Sequence, residues 1–117
     1  MLQDKAIELG RFIGQSDEYK AVKRTSDALN EDREAITLIR GMERLRTEAQ
    51  AMIERGENPT PEMEQQLDEL LSKVQVNATY QRAIAAQDNF DKLMLRVNEW
   101  ISEGIRKGAS SSIITLG

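Results

Sequence analysis

The chain is 117 residues long, one domain's worth of polymer, with 39% apolar residues, 31% charged residues and a net charge of −4; it is too apolar for a disordered segment and too charged for a membrane-embedded one. Cysteine and histidine are both absent, which excludes disulfides, thiolate or imidazole metal ligands, and any triad or general base that needs histidine. Aromatic residues make up only 4%, which argues against strand-rich folds.

The opening segment, about residues 3–14, places Ile7, Leu9, Phe12 and Ile13 near one another and predicts a short helix, with Gly10 and Gly14 as small neighbours. Its start, MLQDKAIELG, carries no apolar core of signal-peptide length, so export is not expected. Ser16 is a natural N-cap for a second helix, and Asp17 and Glu18 suit the positive end of its dipole. Tyr19, Val22 and Leu29 form a thin apolar stripe, the mark of a helix that lies on something else. Asn30 or Asp32 can cap the next helix, which runs to about Arg55. There Ala35, Leu38, Met42, Leu45, Ala49 and Met52 alternate in steps of three and four, a seam of about two and a half heptads. Ile36, Ile39 and Ile53 widen that face, which predicts contact with more than one neighbour.

Both prolines fall in RGENPTPEM, residues 55–63. Gly56 suits a left-handed C-terminal cap, Thr60 an N-cap, and Pro61 the first helical position, where its missing N–H costs nothing. The segment therefore reads as a tight joint between two helices, not a flexible tether. After it, Met63, Leu67, Leu70 and Val74 resume the spacing. Asn77 can cap the last helix, from Ala78 to about Lys107, whose seam comprises Tyr80, Ile84, Phe90, Met94, Val97 and Ile101, flanked by Leu93 and Trp100. Gln87 sits on that seam as a wet edge position or a register pin. The expected organisation is one helical domain over 1–108 and a flexible tail over 109–117, whose SIITLG end could instead dock as an extended peptide.

Acidity concentrates in Glu57, Glu62, Glu64, Asp68 and Glu69, faced by Lys73 alone over residues 56–76. That cluster reads as a solvated face, because a carboxylate di-iron bundle also needs histidine. Elsewhere the charges balance, so direct nucleic-acid binding is not expected; no apolar run approaches the roughly 20 residues that span a bilayer, so no membrane partner is expected either. Arg40 and Arg44, one turn apart, could clamp an anion, or pair with Glu43, Glu48 or Glu34 along the helix. Met42, Met52, Met63 and Met94 fill a core or form an adaptable docking surface. Trp100, the single tryptophan, is the natural interface anchor, or else closes the end of a core. No phosphate loop, EF-hand or nucleophile elbow is present. No catalytic, cofactor-binding or metal residue is assigned, and no enzyme activity is expected.

The segments AIELGRFIGQSDEYKAVKRTSDAL, EDREAITLIRGMERLRTEAQAMIERGENPTPEM and VNATYQRAIAAQDNFDKLMLRVNEWI, in that order, resemble the small helical YlbF/YmcA regulators, also called YheA/YmcA-like proteins. Leu9, Ser16, Tyr19, Lys23, Asp32, Gly56, Pro59, Thr60, Pro61, Asn77, Tyr80, Ala86 and Gln87 carry the match, which spans about residues 4–105. The resemblance implies an all-α fold of helical hairpins that forms a homodimer or higher homo-oligomer. It also implies a cytoplasmic bacterial adaptor of the kind that forms a complex with fellow members and a third protein, with protein partners in RNA processing by the membrane-tethered endonuclease RNase Y, and thereby effects on competence, sporulation and biofilm formation. Members of that complex carry cysteines tied to an iron–sulfur cluster. This chain has none, so the cysteine-free YheA-like branch is the closer likeness and no cofactor is expected.

The expected fold is thus an all-α helical bundle built on a long antiparallel hairpin with shorter N-terminal helices, in which residues 31–55 pack against 77–107. The expected interface comprises Leu38, Met42, Leu45, Phe90, Met94, Val97, Trp100 and Ile101. A structural or scaffolding helical assembly protein is the alternative reading, distinguished by growth into large particles.

Overall fold

The computed structural model describes the backbone of residues 1–116 and the side chains of residues 1–110. Among these residues the chain forms five helices: α1 (Leu2–Gly14), α2 (Asp17–Glu31), α3 (Arg33–Glu54), α4 (Pro61–Gln75) and α5 (Ala78–Leu116). Each break between them has a local chemical cause. Ser16 accepts a hydrogen bond from the Tyr19 N–H at 3.1 Å and donates one to the Ile13 carbonyl at 2.6 Å, so one hydroxyl ends α1 and starts α2. Asp32 is the sole residue between α2 and α3; its extended backbone stops one helix while its carboxylate accepts from the Ala35 N–H and caps the next.

The proline joint is closed at both ends. Gly56 adopts φ +80, its N–H donates to the Ile53 carbonyl, and the Glu57 N–H donates to Met52 at 2.8 Å. That double closure satisfies the last carbonyls of α3 and needs a residue without a Cβ at position 56. Thr60 then accepts from the Met63 N–H, with Pro61 opening α4. The four residues between Gly56 and Pro61 turn the chain back on itself.

Helix pairing differs from the expected arrangement of 31–55 against 77–107. The long α3 packs antiparallel on α4, and α5 packs antiparallel on α2. In the first pair Leu38 meets Val74, Gly41 meets Leu70, and Leu45 and Ala49 face Met63 and Leu67. A Cβ on Gly41 would lie 3.2 Å from Leu70 Cδ1, so this glycine permits the close approach of α3 to α4. In the second pair the Tyr19 and Phe90 rings meet edge to face at 5.7 Å, and Val22, Thr25, Ser26 and Leu29 share a groove with Tyr80, Ala83, Ile84 and Gln87.

The α3–α4 hairpin is therefore inserted between two helices that pair with each other. Its neck is tied by the two caps that flank it. Asn77 accepts from the Tyr80 N–H at 2.9 Å and donates to the other oxygen of Asp32 at 3.4 Å, so the starts of α3 and α5 are held together through their capping side chains. Tyr80 carries α5 onto the hairpin core of Leu38, Met42 and Val74.

The result is a long molecule. Its radius of gyration is 21.5 Å and its extents are 68 × 37 × 21 Å, whereas a compact domain of this length has a radius near about 13 Å. Helix α5 continues through Leu116, beyond the end expected near Lys107. Of the expected tail over 109–117, the side chains of 111–117 lie outside the described residues.

Candidate interaction surface

Only six apolar side chains are buried among the described residues: Ala35, Leu38, Met42, Val74, Ala86 and Val97. Sequence periodicity places the eight expected interface residues on apolar faces, but the structure does not bring them together. Leu38 and Met42 lie inside the α3–α4 core and Leu45 is half-buried beside them. Val97 is buried, and Phe90 and Met94 are half-buried along α5. Leu38, Met42 and Val97 are thus already covered within the chain and do not belong to its free surface. Trp100 and Ile101 remain open, at 58% and 43% of their full exposure.

The free apolar surface is wider than the sequence reading indicates. Helix α1 contains no buried residue, and it exposes Leu2, Ile7, Leu9 and Phe12. Past Trp100, α5 also exposes Ile105. Val97, Trp100, Ile101, Gly104, Ile105 and Gly108 fall at helical spacing on one stripe of α5. The signal for this extension is in the sequence, since Ile105 repeats the four-residue step from Ile101. The exposure of α1 is not, because an apolar face of that kind reads equally as a helix lying on its own core.

The other candidate features resolve simply. Glu62, Glu64, Asp68 and Glu69 are exposed, and among the described residues no group of three acidic side chains is placed to hold a metal ion. Arg40 and Arg44 are exposed; the ion pairs among the described residues are Lys5–Glu8, Arg55–Glu57 and Lys107–Glu103, so the expected pairing with Glu34, Glu43 or Glu48 is not formed. Met42 is core and Met52, Met63 and Met94 are half-buried, which places the methionines in packing roles. Gln87 is exposed and donates to Asp91, the wet edge position. No described helix is long and apolar enough to cross a membrane.

One carboxylate has a perturbed environment. The Ala35 backbone N–H, with the Thr79 hydroxyl and the Asn77 amide, holds the Asp32 carboxyl below its ordinary value of 3.8, against a partial loss of solvation. These are the groups of the hairpin neck, so the shift belongs to capping and not to a reaction centre. Taken together, the described surface offers apolar contact on α1 and the C-terminal part of α5.

A solved structure shares this arrangement. A chain in the X-ray crystal structure of Bacillus subtilis RicA in complex with RicF superposes with a TM-score of 0.78 at 20% identity, over 92% of this chain and 96% of that one. A UPF0342 protein of Streptococcus gordonii is 27% identical over 105 residues, 90% of this chain and 94% of the relative. A UPF0342 protein of Leuconostoc mesenteroides is 20% identical over 109 residues, 93% of each. Residues 2–106 match the family described as control of competence regulator ComK, YlbF/YmcA. By that match over nearly its whole length, the chain belongs to the YlbF/YmcA family.

Proposed function

We propose that this protein is a cytoplasmic, non-enzymatic adaptor that works by helix-mediated contact, both with copies of itself and with a protein partner in the control of RNA processing and development. The observation that carries the reading is the amount of surface left uncovered. The chain exposes 9333 Å², where a compact monomer of this length exposes about 6,500 Å². That surface includes exposed apolar side chains on helix, Leu2, Ile7, Leu9 and Phe12 on α1 and Trp100, Ile101 and Ile105 on α5. Patches of that kind on a helical scaffold are partner surfaces far more often than solvent surfaces.

Two facts about relatives support the same direction. The family is described as a regulator, and the similar solved chain comes from a complex of RicA with a second protein, RicF. The test is affinity capture of a tagged chain from native lysate, run beside a Trp100→Ala, Ile101→Ala double variant. The expected result is co-purification of RNA-processing proteins with the wild type and their loss from the variant. Absence of any protein specific to the wild type would overturn the adaptor reading.

A further inference from the structure

We propose that the outer face of α2 receives an acidic helical segment of a partner protein, through Lys20, Lys23 and Arg24. This rests on the partner contact named in the adaptor reading and gives it a surface apart from Trp100 and Ile101. Helix α2 lies on α5 through Val22, Thr25, Ser26 and Leu29, and its three cations are exposed on the other side. Together with Gly14, Tyr19 and Asp27 they line a surface groove of about 440 Å³.

The charge order along α2 is not the one that helix stability favours. Cations stabilise a helix in its last turn, yet the last turn of α2 contains none and ends on Glu31; the three cations stand in the middle instead. Lys20 is one turn from both Lys23 and Arg24, so like charges are neighbours on one face and repel. Among the described residues the ion pairs are Lys5–Glu8, Arg55–Glu57 and Lys107–Glu103, and none of them relieves that repulsion. A chain with net charge −4 thus keeps a local group of unpaired cations around a groove, which an anionic partner would neutralise.

Asp27 decides which kind of anion. It lies at one end of the groove, one turn past Lys23, and it repels a continuous run of phosphates such as nucleic acid. A protein helix avoids the clash by setting carboxylates against Lys20, Lys23 and Arg24 and a lysine or arginine against Asp27. From Lys20 to Asp27 is about 10 Å along the axis, about two turns, a span that two turns of a partner helix match. Tyr19 is braced edge to face on Phe90 at 5.7 Å and is still 41% exposed. It supplies a rigid aromatic wall at the other end, of the kind that anchors protein contacts.

A heteronuclear NMR titration of the full chain tests the site. The probe is a synthetic helical peptide with glutamates one turn apart over two turns, followed by a lysine. At about 50 mM salt the amide signals of residues 14–27 are expected to shift, and affinity should fall severalfold at about 300 mM. The double variant Lys20→Glu, Arg24→Glu is expected to weaken binding at least about tenfold. Arg40→Glu, Arg44→Glu makes the same charge change at the same spacing on α3 and should leave binding within about twofold; circular dichroism confirms that both variants are folded. Asp27→Asn should tighten binding of an all-glutamate peptide and not of the lysine-ended one. Silence of residues 14–27 at about 1 mM peptide, or equal losses in the two double variants, overturns the site. A single-stranded RNA oligonucleotide that binds these residues more tightly than the peptide overturns the acidic helix as occupant. Each of those results leaves the capture experiment on Trp100 and Ile101 to decide the adaptor reading separately.

Discussion

Shortening Val74 to alanine tests whether the α3–α4 hairpin is held by its small core. Val74 is 1% exposed, and it packs among Leu38, Met42, Ile39, Leu67, Leu70, Leu71 and Tyr80. Removing two carbons forfeits about 1.6 kcal/mol of transfer free energy, at about 0.8 kcal/mol each. A cavity of about 50 Å³ that fails to collapse adds about 1.2 kcal/mol. The expected loss is therefore about 2–3 kcal/mol, a large share of the roughly 5–15 kcal/mol that holds a typical domain. Val76 supplies an internal control two residues away, since it is 78% exposed and its truncation should change stability by less than about 0.5 kcal/mol. Urea melts followed by circular dichroism, at matched protein concentration so that self-association cancels, measure both. Equal shifts for Val74→Ala and Val76→Ala would refute the packing described for α4.

Other perturbations probe the joints. Gly56→Ala places a Cβ in a left-handed conformation, φ +80, and should cost about 1–2 kcal/mol in the same melts; no loss would mean that the α3 end relaxes to another turn. Gly41→Val drives a branched side chain into the space where even a Cβ stands 3.2 Å from Leu70, and about 1–3 kcal/mol of overpacking is expected. Asp32 sets an acid limit. Its folded carboxyl lies below 3.8, so its contribution is fully present above that pH and is lost as pH falls through it towards the folded value. Asp32→Asn should retain a cap yet flatten the acid limb of stability against pH; an unchanged limb would show that the neck carboxylate is not its source.

Local chemistry made the helix ends legible. Ser16, Asp32, Thr60 and Asn77 each cap through a side chain acting on an N–H three residues on, and Gly56 closes α3. Such signals operate within a few residues and do not depend on what lies across the molecule. The end of α5 was less legible: the last helix is expected to end near Lys107, where Gly104 and Gly108 weaken it, whereas it runs on to Leu116. Glycine weakens a helix by about 1 kcal/mol without forbidding it.

Five helices, their caps, the turn at the prolines and the apolar face of each are written in residue order alone. Which face meets which is not. A stripe of leucines and isoleucines specifies burial but not its partner, because apolar attraction carries no direction. The one-residue break at Asp32, tied to Asn77 at 3.4 Å, and the tight joint at Gly56 send α3 onto α4 and leave α5 for α2. That routing turns Leu38, Met42 and Val97 inward and leaves Phe12, Trp100 and Ile105 in the open.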